Sequence, residues 1–290
     1  MFEGFKQHRI ETSGATINLR TGGSGPGLLL LHGYPQTHVM WHKIAPALAE
    51  HFTVVAADLR GYGDSSKPAS DARHTPYSKR AMAQDMAEVM TALGIGQFAV
   101  AGHDRGARVS HRLAQDHRDR VTRLAVLDIA PTHEMYMTTD KDFATAYYHW
   151  FFLIQKHDLP ERMIGADPAY YLDHKMGHWG KDSTAFPAFA YEEYLRCFSD
   201  PATIHATCED YRAAAGIDLE IDEADMAQKL DCPVLALWGD KGFVGRKYDV
   251  LASWRKRAHT VEGGPIPSGH YLAEEAPQET FTALSRFFLS

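Results

Sequence analysis

The stretch Gly102-His103-Asp104-Arg105-Gly106 sets a carboxylate between two glycines, where an apolar run ends and a helix-forming segment begins. Phe98 to Ala101 reads as a buried strand; the chain breaks at Gly102, and a helix is predicted from Gly106. A strand, a sharp turn and a helix, with small residues on both sides, form a nucleophile elbow that pushes one side chain out above a sheet. A serine there would need a base and would attack acyl carbon. Asp104 is already ionised at neutral pH. A carboxylate can displace a leaving group from saturated carbon and retain an ester whose carbonyl belongs to the protein. Backbone N–H groups at the elbow then stabilise the oxyanion of its hydrolysis, and a histidine is needed only to activate water. These residue types point to displacement at sp3 carbon, meaning dehalogenation or epoxide opening. A structural Gly-x-Asp-x-Gly turn has the same spelling.

Arg105 and Arg108 lie three residues apart at the start of that helix, so their side chains can converge. Cations are disfavoured at a helix N-terminus, which argues for another use. Two guanidinium groups beside Asp104 suit a small carboxylate held by charge-assisted bidentate bonds, with the carbon alpha to it in line for attack. Arg112, Arg118 and Arg120 read instead as solvated charge. For the base, His270 follows Gly269 in the loop before the last helix, so the chain order nucleophile, acid, base is kept if the acid lies between. Two residues compete for that acid. Asp128 ends the strand after the elbow helix, and Asp240 ends a later strand within Gly239-Asp240-Lys241-Gly242, a common turn composition.

The elements that must position these groups alternate. Strands are predicted at Phe5–Glu11, Ala15–Arg20, Leu28–Leu31, Thr53–Ala57, Phe98–Ala101, Leu124–Leu127, Val234–Leu237 and His259–Val261. Between them, Ser78 caps a helix carrying Met82, Met86, Met90 and Leu93, an Arg- and Lys-rich helix runs to about Arg257, and a last helix spans Ala273–Phe288. Strands alternating with helices predict a mostly parallel, doubly wound sheet. From about Pro131 to Ala227 strand-like runs vanish and aromatic helical segments dominate, which predicts a helical cap inserted into the core. The organisation expected is a core over 1–130, a cap over 131–227 and the rest of the core over 228–290.

The 290 residues, 44% of them hydrophobic, can bury a sizeable core. A net charge of −7 argues against nucleic acid or anionic membrane partners. Cys197, Cys208 and Cys232 are too widely spaced for a CxxC motif, and no signal pattern or membrane-length apolar run occurs, so a cytoplasmic location is expected.

Over its whole length the chain resembles the α/β-hydrolase superfamily, and most specifically the fluoroacetate (haloacetate) dehalogenases. The resemblance is carried by His32-Gly33-Tyr34-Pro35, Asp58-Leu59-Arg60-Gly61-Tyr62-Gly63-Asp64-Ser65, His103 to Arg108, Asp128-Ile129-Ala130-Pro131, His149-Trp150, Tyr211-Arg212-Ala213 and Ser268-Gly269-His270. It implies an α/β-hydrolase fold and hydrolysis of a small 2-haloacid, with fluoroacetate giving glycolate and fluoride. Asp104 would be the nucleophile, His270 the base, Asp128 the acid, and Arg105 and Arg108 the carboxylate clamp. His149, Trp150 and Tyr211 become halide donors; from composition alone they would be packing, as Tyr147, Tyr148, Phe151 and Phe152 remain. The backbone N–H groups of Tyr34 and Arg105 would form the oxyanion hole. No cofactor and no metal are implied, and a homodimer is. An epoxide hydrolase with the same nucleophile is the alternative, with Tyr147, Tyr148, Tyr191 and Tyr194 available, although Arg105 and Arg108 speak against it. A non-catalytic receptor for a small acid is more remote.

Overall fold

A computed structural model describes residues 2–290. Eight strands form one sheet: β1 (Lys6–Glu11), β2 (Thr16–Gly22), β3 (Gly27–Leu31), β4 (Thr53–Ala57), β5 (Phe98–His103), β6 (Val121–Leu127), β7 (Val234–Gly239) and β8 (Val261–Ile266). Their spatial order is β1-β2-β4-β3-β5-β6-β7-β8; β2 is antiparallel to both its neighbours, β1 and β4, and the six strands from β4 to β8 in that order are parallel. Every residue of β3 and β5 is buried. Helices on both faces of a parallel sheet require such continuous apolar runs.

The elbow lies at the centre of the sheet, at the carboxyl end of β5. Asp104 takes φ 44°, ψ −112°, and helix Arg105–Asp116 starts at the next residue, one earlier than predicted. The turn closes because both flanking residues lack a side chain. A Cβ at Gly102 would sit 2.5 Å from the Gly106 carbonyl, and one at Gly106 would sit 2.4 Å from the His32 oxygen. The ladder reaches past the strand ends: Asp104 N–H donates to Leu127 O (3.2 Å), and Asp128 N–H to Leu237 O (2.8 Å). Asp104, Asp128 and His270 therefore stand together beyond the carboxyl ends of β5, β6 and β8, where open α/β sheets hold their ligands.

Between β6 and β7 the regular elements of the described residues are all helical, from Thr132–Met137 to Ile217–Ala224. Ser78 does cap its helix, Lys79–Ala92, by accepting from Ala81 N–H. Three expectations change at the C-terminal end. The strand after β7 covers Val261–Ile266 and takes in residues read as loop. Pairing with β7 overrides their composition, and Gly263 (φ 146°) is needed because a Cβ there would meet the Ala236 oxygen at 1.8 Å. The Arg- and Lys-rich helix is two short ones, Val244–Lys247 and Val250–Arg255, the second capped by Asp249. The last helix breaks at Ala276, before Pro277, into Leu272–Glu275 and Pro277–Leu289, since proline disfavours helical backbone in the preceding residue. Arg112 is not solvated: its side chain is 5% exposed and paired with Asp116 and Asp225.

Candidate active site

Tyr34 N–H donates to Asp104 Oδ2 at 3.1 Å, and the loop carrying it is held because His32 accepts from Leu59 N–H (3.1 Å) through Nε2. Arg105 contributes the first N–H of its helix, which has no intrahelical carbonyl to bind. Burial alone would raise the Asp104 carboxyl, but His270, Arg108, His103 and Arg105 together hold it below its ordinary value. Asp104 is thus anionic and only 4% exposed.

His270 Nδ1–H donates to Asp128 Oδ2 at 2.6 Å, and Asp128 Oδ1 accepts from Gly239 N–H at 3.1 Å. This leaves His270 Nε2, which has no partner among the described residues, as the basic nitrogen. Burial pushes the imidazole pKa down, yet the hydrogen bond and charge of Asp128, aided by Asp104, leave it above the ordinary value. Asp240 stands apart. It is exposed, and its amide is spent on Ile266 O.

Both arginines are buried, Arg105 at 0% and Arg108 at 3% exposure. Sequence reasoning missed Asp210, on helix Pro201–Ala214, which grips Arg105. It accepts from Nε at 2.8 Å and from Nη2 at 2.6 Å, and the Asp210 carbonyl accepts from Nη2 at 3.0 Å. Asp210 also accepts from Tyr62 Oη (2.6 Å) and from Lys79 Nζ. Arg108 donates from Nη1 to Thr132 Oγ1 (2.9 Å) and Ala130 O (3.2 Å). Among the described residues, Nη1 of Arg105 and Nε of Arg108 remain without a partner. The Nε–Nη2 edge of Arg105 is taken by Asp210, which leaves Nη1 as the nitrogen of Arg105 facing no protein acceptor among the described residues.

A wall of aromatic side chains faces these groups. Arg105 lies 4.1 Å over the Tyr211 ring and Arg108 4.8 Å over Trp150. His149 meets Tyr211 edge-on at 5.5 Å, and Tyr34 meets Tyr211 at 5.4 Å. His149 Nδ1, Trp150 Nε1 and Tyr211 Oη are buried without partners among the described residues. Burial holds His149 well below the usual imidazole pKa, with Lys175 and the arginines adding to the effect. It is a neutral imidazole. Buried polar atoms are nearly always hydrogen-bonded, so this many unpaired ones in one place make this a candidate ligand site.

Trp179, also missed, closes the wall, 4.5 Å from the His149 ring and 5.2 Å from that of His270. Two signals stand in the sequence: His178-Trp179 repeats the His149-Trp150 pair, and Asp210 directly precedes Tyr211. Beyond Trp179 and His270 a cavity of about 180 Å³ opens, with Lys181, Lys241 and Arg246 in its lining. Tyr147 lines it too and is packed against Phe143 and Phe243.

Among the described residues, no helix is long and apolar enough to cross a membrane, and Cys197, Cys208 and Cys232 are free. Residues 26–277 match the family model described as alpha/beta hydrolase fold. A fluoroacetate dehalogenase from Burkholderia sp is 44% identical, the match covering 99% of this chain and 95% of that protein. A soluble epoxide hydrolase from Corynebacterium sp. (strain C12) is 36% identical, over 97% and 96%. A solved structure from Nostoc sp PCC 7120, described only as to its alpha/beta hydrolase class, superposes with a TM-score of 0.99 at 66% identity, covering 99% of both chains. The elbow, the strand order and these matches agree, and the chain belongs to the alpha/beta-hydrolase fold family.

Proposed function

We propose that this protein is a hydrolase of small 2-haloacids and that it converts fluoroacetate to glycolate and fluoride. One observation carries the reading: two buried guanidinium groups beside the Asp104 carboxylate each keep a nitrogen without a partner among the described residues. Their charge suits an anionic substrate, and Lys181, Lys241 and Arg246 at the cavity suit its approach.

In this mechanism the substrate carboxylate bridges Arg105 Nη1 and Arg108 Nε, which holds the alpha carbon in line with an Asp104 oxygen. Positioning supplies much of what a displacement requires. Asp104 attacks, the carbon–halogen bond breaks, and the electron pair leaves with the halide. Fluoride gives up a strong hydration shell, so its charge must be met by donors; Trp150 Nε1, Tyr211 Oη and His149 are donors of the right type. Esterification removes the Asp104 charge, one of the influences raising His270, and so readies the imidazole to act as a base. His270 Nε2 takes a proton from water, and the hydroxide adds to the ester carbonyl. The oxyanion is met by the N–H groups of Tyr34 and Arg105. Collapse returns Asp104 as carboxylate and releases the 2-hydroxy acid; one water proton ends on the product hydroxyl and the other leaves through His270.

Epoxide hydrolysis is the second reading, favoured by the Corynebacterium relative. It uses the same nucleophile but leaves Arg105 Nη1 and Arg108 Nε, on two buried guanidinium groups, without a substrate anion. The test compares fluoride release from fluoroacetate, chloride release from chloroacetate and diol formation from a neutral epoxide. In His270→Asn, about one halide per active site should appear, with a carboxymethyl ester on the Asp104 peptide by mass. Diol formation without halide release would establish the second reading. In wild type, single-turnover oxygen-18 label found in glycolate rather than in Asp104 would overturn the ester mechanism.

A further inference from the structure

Away from the candidate active site, His157, Glu161 and His205 bring a ligand atom each to within 4.8 Å of one another. They come from three elements: the turn before helix Leu159–Ala166, that helix itself, and helix Pro201–Ala214. His205 Nδ1 is 3.0 Å from Glu161 Oε1, and the His157 and His205 rings meet edge-on at 5.2 Å. Two imidazoles and a carboxylate are the ligand types that zinc and its neighbours favour, at metal–ligand distances of about 2.0–2.2 Å. Tetrahedral bonds of that length put ligand atoms roughly 3.3 Å apart. The His205–Glu161 pair is already near that spacing, and His157, exposed at the rim, is free to swing in.

The carboxylate is also held in place. Arg212 donates to Glu161 Oε1 from Nη1 (2.7 Å) and to Oε2 from Nη2 (3.2 Å), while Gln155 O and Glu209 anchor Arg212. Ligating carboxylates are oriented in this way by a second layer of hydrogen bonds. Glu209 offsets the charge of Arg212 and leaves Glu161 as excess negative charge for a dication. Arg212, with Lys156 and Arg162 nearby, makes the affinity lower than that of a closed four-ligand structural site.

We propose that His157, Glu161 and His205 form a surface site for a zinc-class divalent cation, with water completing the coordination. The cation clips the 155–158 turn and helix Leu159–Ala166 onto helix Pro201–Ala214. That last helix carries Asp210 and Tyr211, so the clip steadies the outer side of the aromatic wall. The inference is independent of the reaction proposed above.

The experiment titrates ZnCl2 into chelator-stripped full-length protein by calorimetry and follows Tm in parallel. One equivalent should bind, MgCl2 should not, and Tm should rise by a few degrees at about a hundredfold excess over Kd. His157→Ala, at an exposed position, should abolish both signals while the metal-free Tm stays unchanged. Glu161→Gln also disturbs Arg212, so His205→Ala serves as the second variant. His174 and His178, one turn apart with rings at 5.9 Å, supply the control. Zinc binding that survives His157→Ala but is lost in His178→Ala would overturn the assignment, as would an absence of binding to the wild type.

Discussion

Asp210→Asn should weaken both the fold and turnover, because one buried carboxylate serves two buried cations. Arg105 and Asp210 are each 0% exposed, and the Lys79 side chain is 5% exposed. Asparagine keeps the shape and an acceptor oxygen but deletes the charge. Breaking a buried ion pair by removing one partner costs about 3–5 kcal/mol. Two responses moderate that figure: Lys79 retains Asp218 at 3.8 Å, and burial already lowers its pKa, so it can shed its proton. Taking the lower end, about 3 kcal/mol, and an unfolding entropy of about 0.6 kcal/mol per K for a chain of this length, Tm should fall by roughly 5 °C. Turnover should suffer separately. Arg105 Nε and Nη2 lose their charged acceptor, so Nη1 is no longer aimed, and one charge-assisted contact to the substrate carboxylate is weakened. At about 1.5–3 kcal/mol for such a contact, kcat/KM for haloacetate should drop roughly 10- to 150-fold. The assay is halide release well below the variant's Tm, beside a thermal melt of each protein. Unchanged kcat/KM in a folded variant would refute the claim that Asp210 aims Arg105; an unchanged Tm would refute the energetic argument.

Three further outcomes follow from the site and its surroundings. Trp150→Phe keeps a ring under Arg108 but deletes the unpartnered indole N–H, so fluoride release should fall more than chloride release; equal losses would make Trp150 a packing residue. His270 must be unprotonated to act as a base, and Asp128 raises its pKa in the ester as in the free enzyme, so Asp128→Asn should move the acidic limb of kcat down while lowering the plateau. A limb that stays put in Asp128→Asn would refute this pairing as its cause. Burial raises the Glu274 carboxyl to about 8, against hydrogen bonds from Tyr194 and Gln36. The folded state therefore binds the extra proton from the unfolded value of about 4.3 up to about 8, and stability falls as pH rises through that window. Melts across pH 5–8 should show that decline in wild type and a flatter profile in Glu274→Gln.

The local chemistry of this protein is written in adjacent residues. Gly102 and Gly106 around Asp104 specify the elbow, because a Cβ at either would collide with backbone, and the apolar run before it can only be a buried strand. The helix cap at Ser78 and the alternation of strands and helices are equally local, which is why the fold class was legible. The acid was different. Asp128 and Asp240 both follow strands, and the residues alone left the choice open. The fold places Asp128 against His270, 142 residues away, while Asp240 points to solvent. The grip of Asp210 on Arg105 spans 105 positions and has no spacing signature, so the substrate geometry read from the arginines alone allowed a fork that the folded chain has already filled. The aromatic wall is the same case: His149, Trp150 and Tyr211 have the composition of packing, and only their convergence leaves donors buried without partners. Sequence determines which groups are available and how the backbone turns beside them; which polar atoms are satisfied, and which remain for a substrate, depends on contacts between distant segments that only the tertiary structure creates.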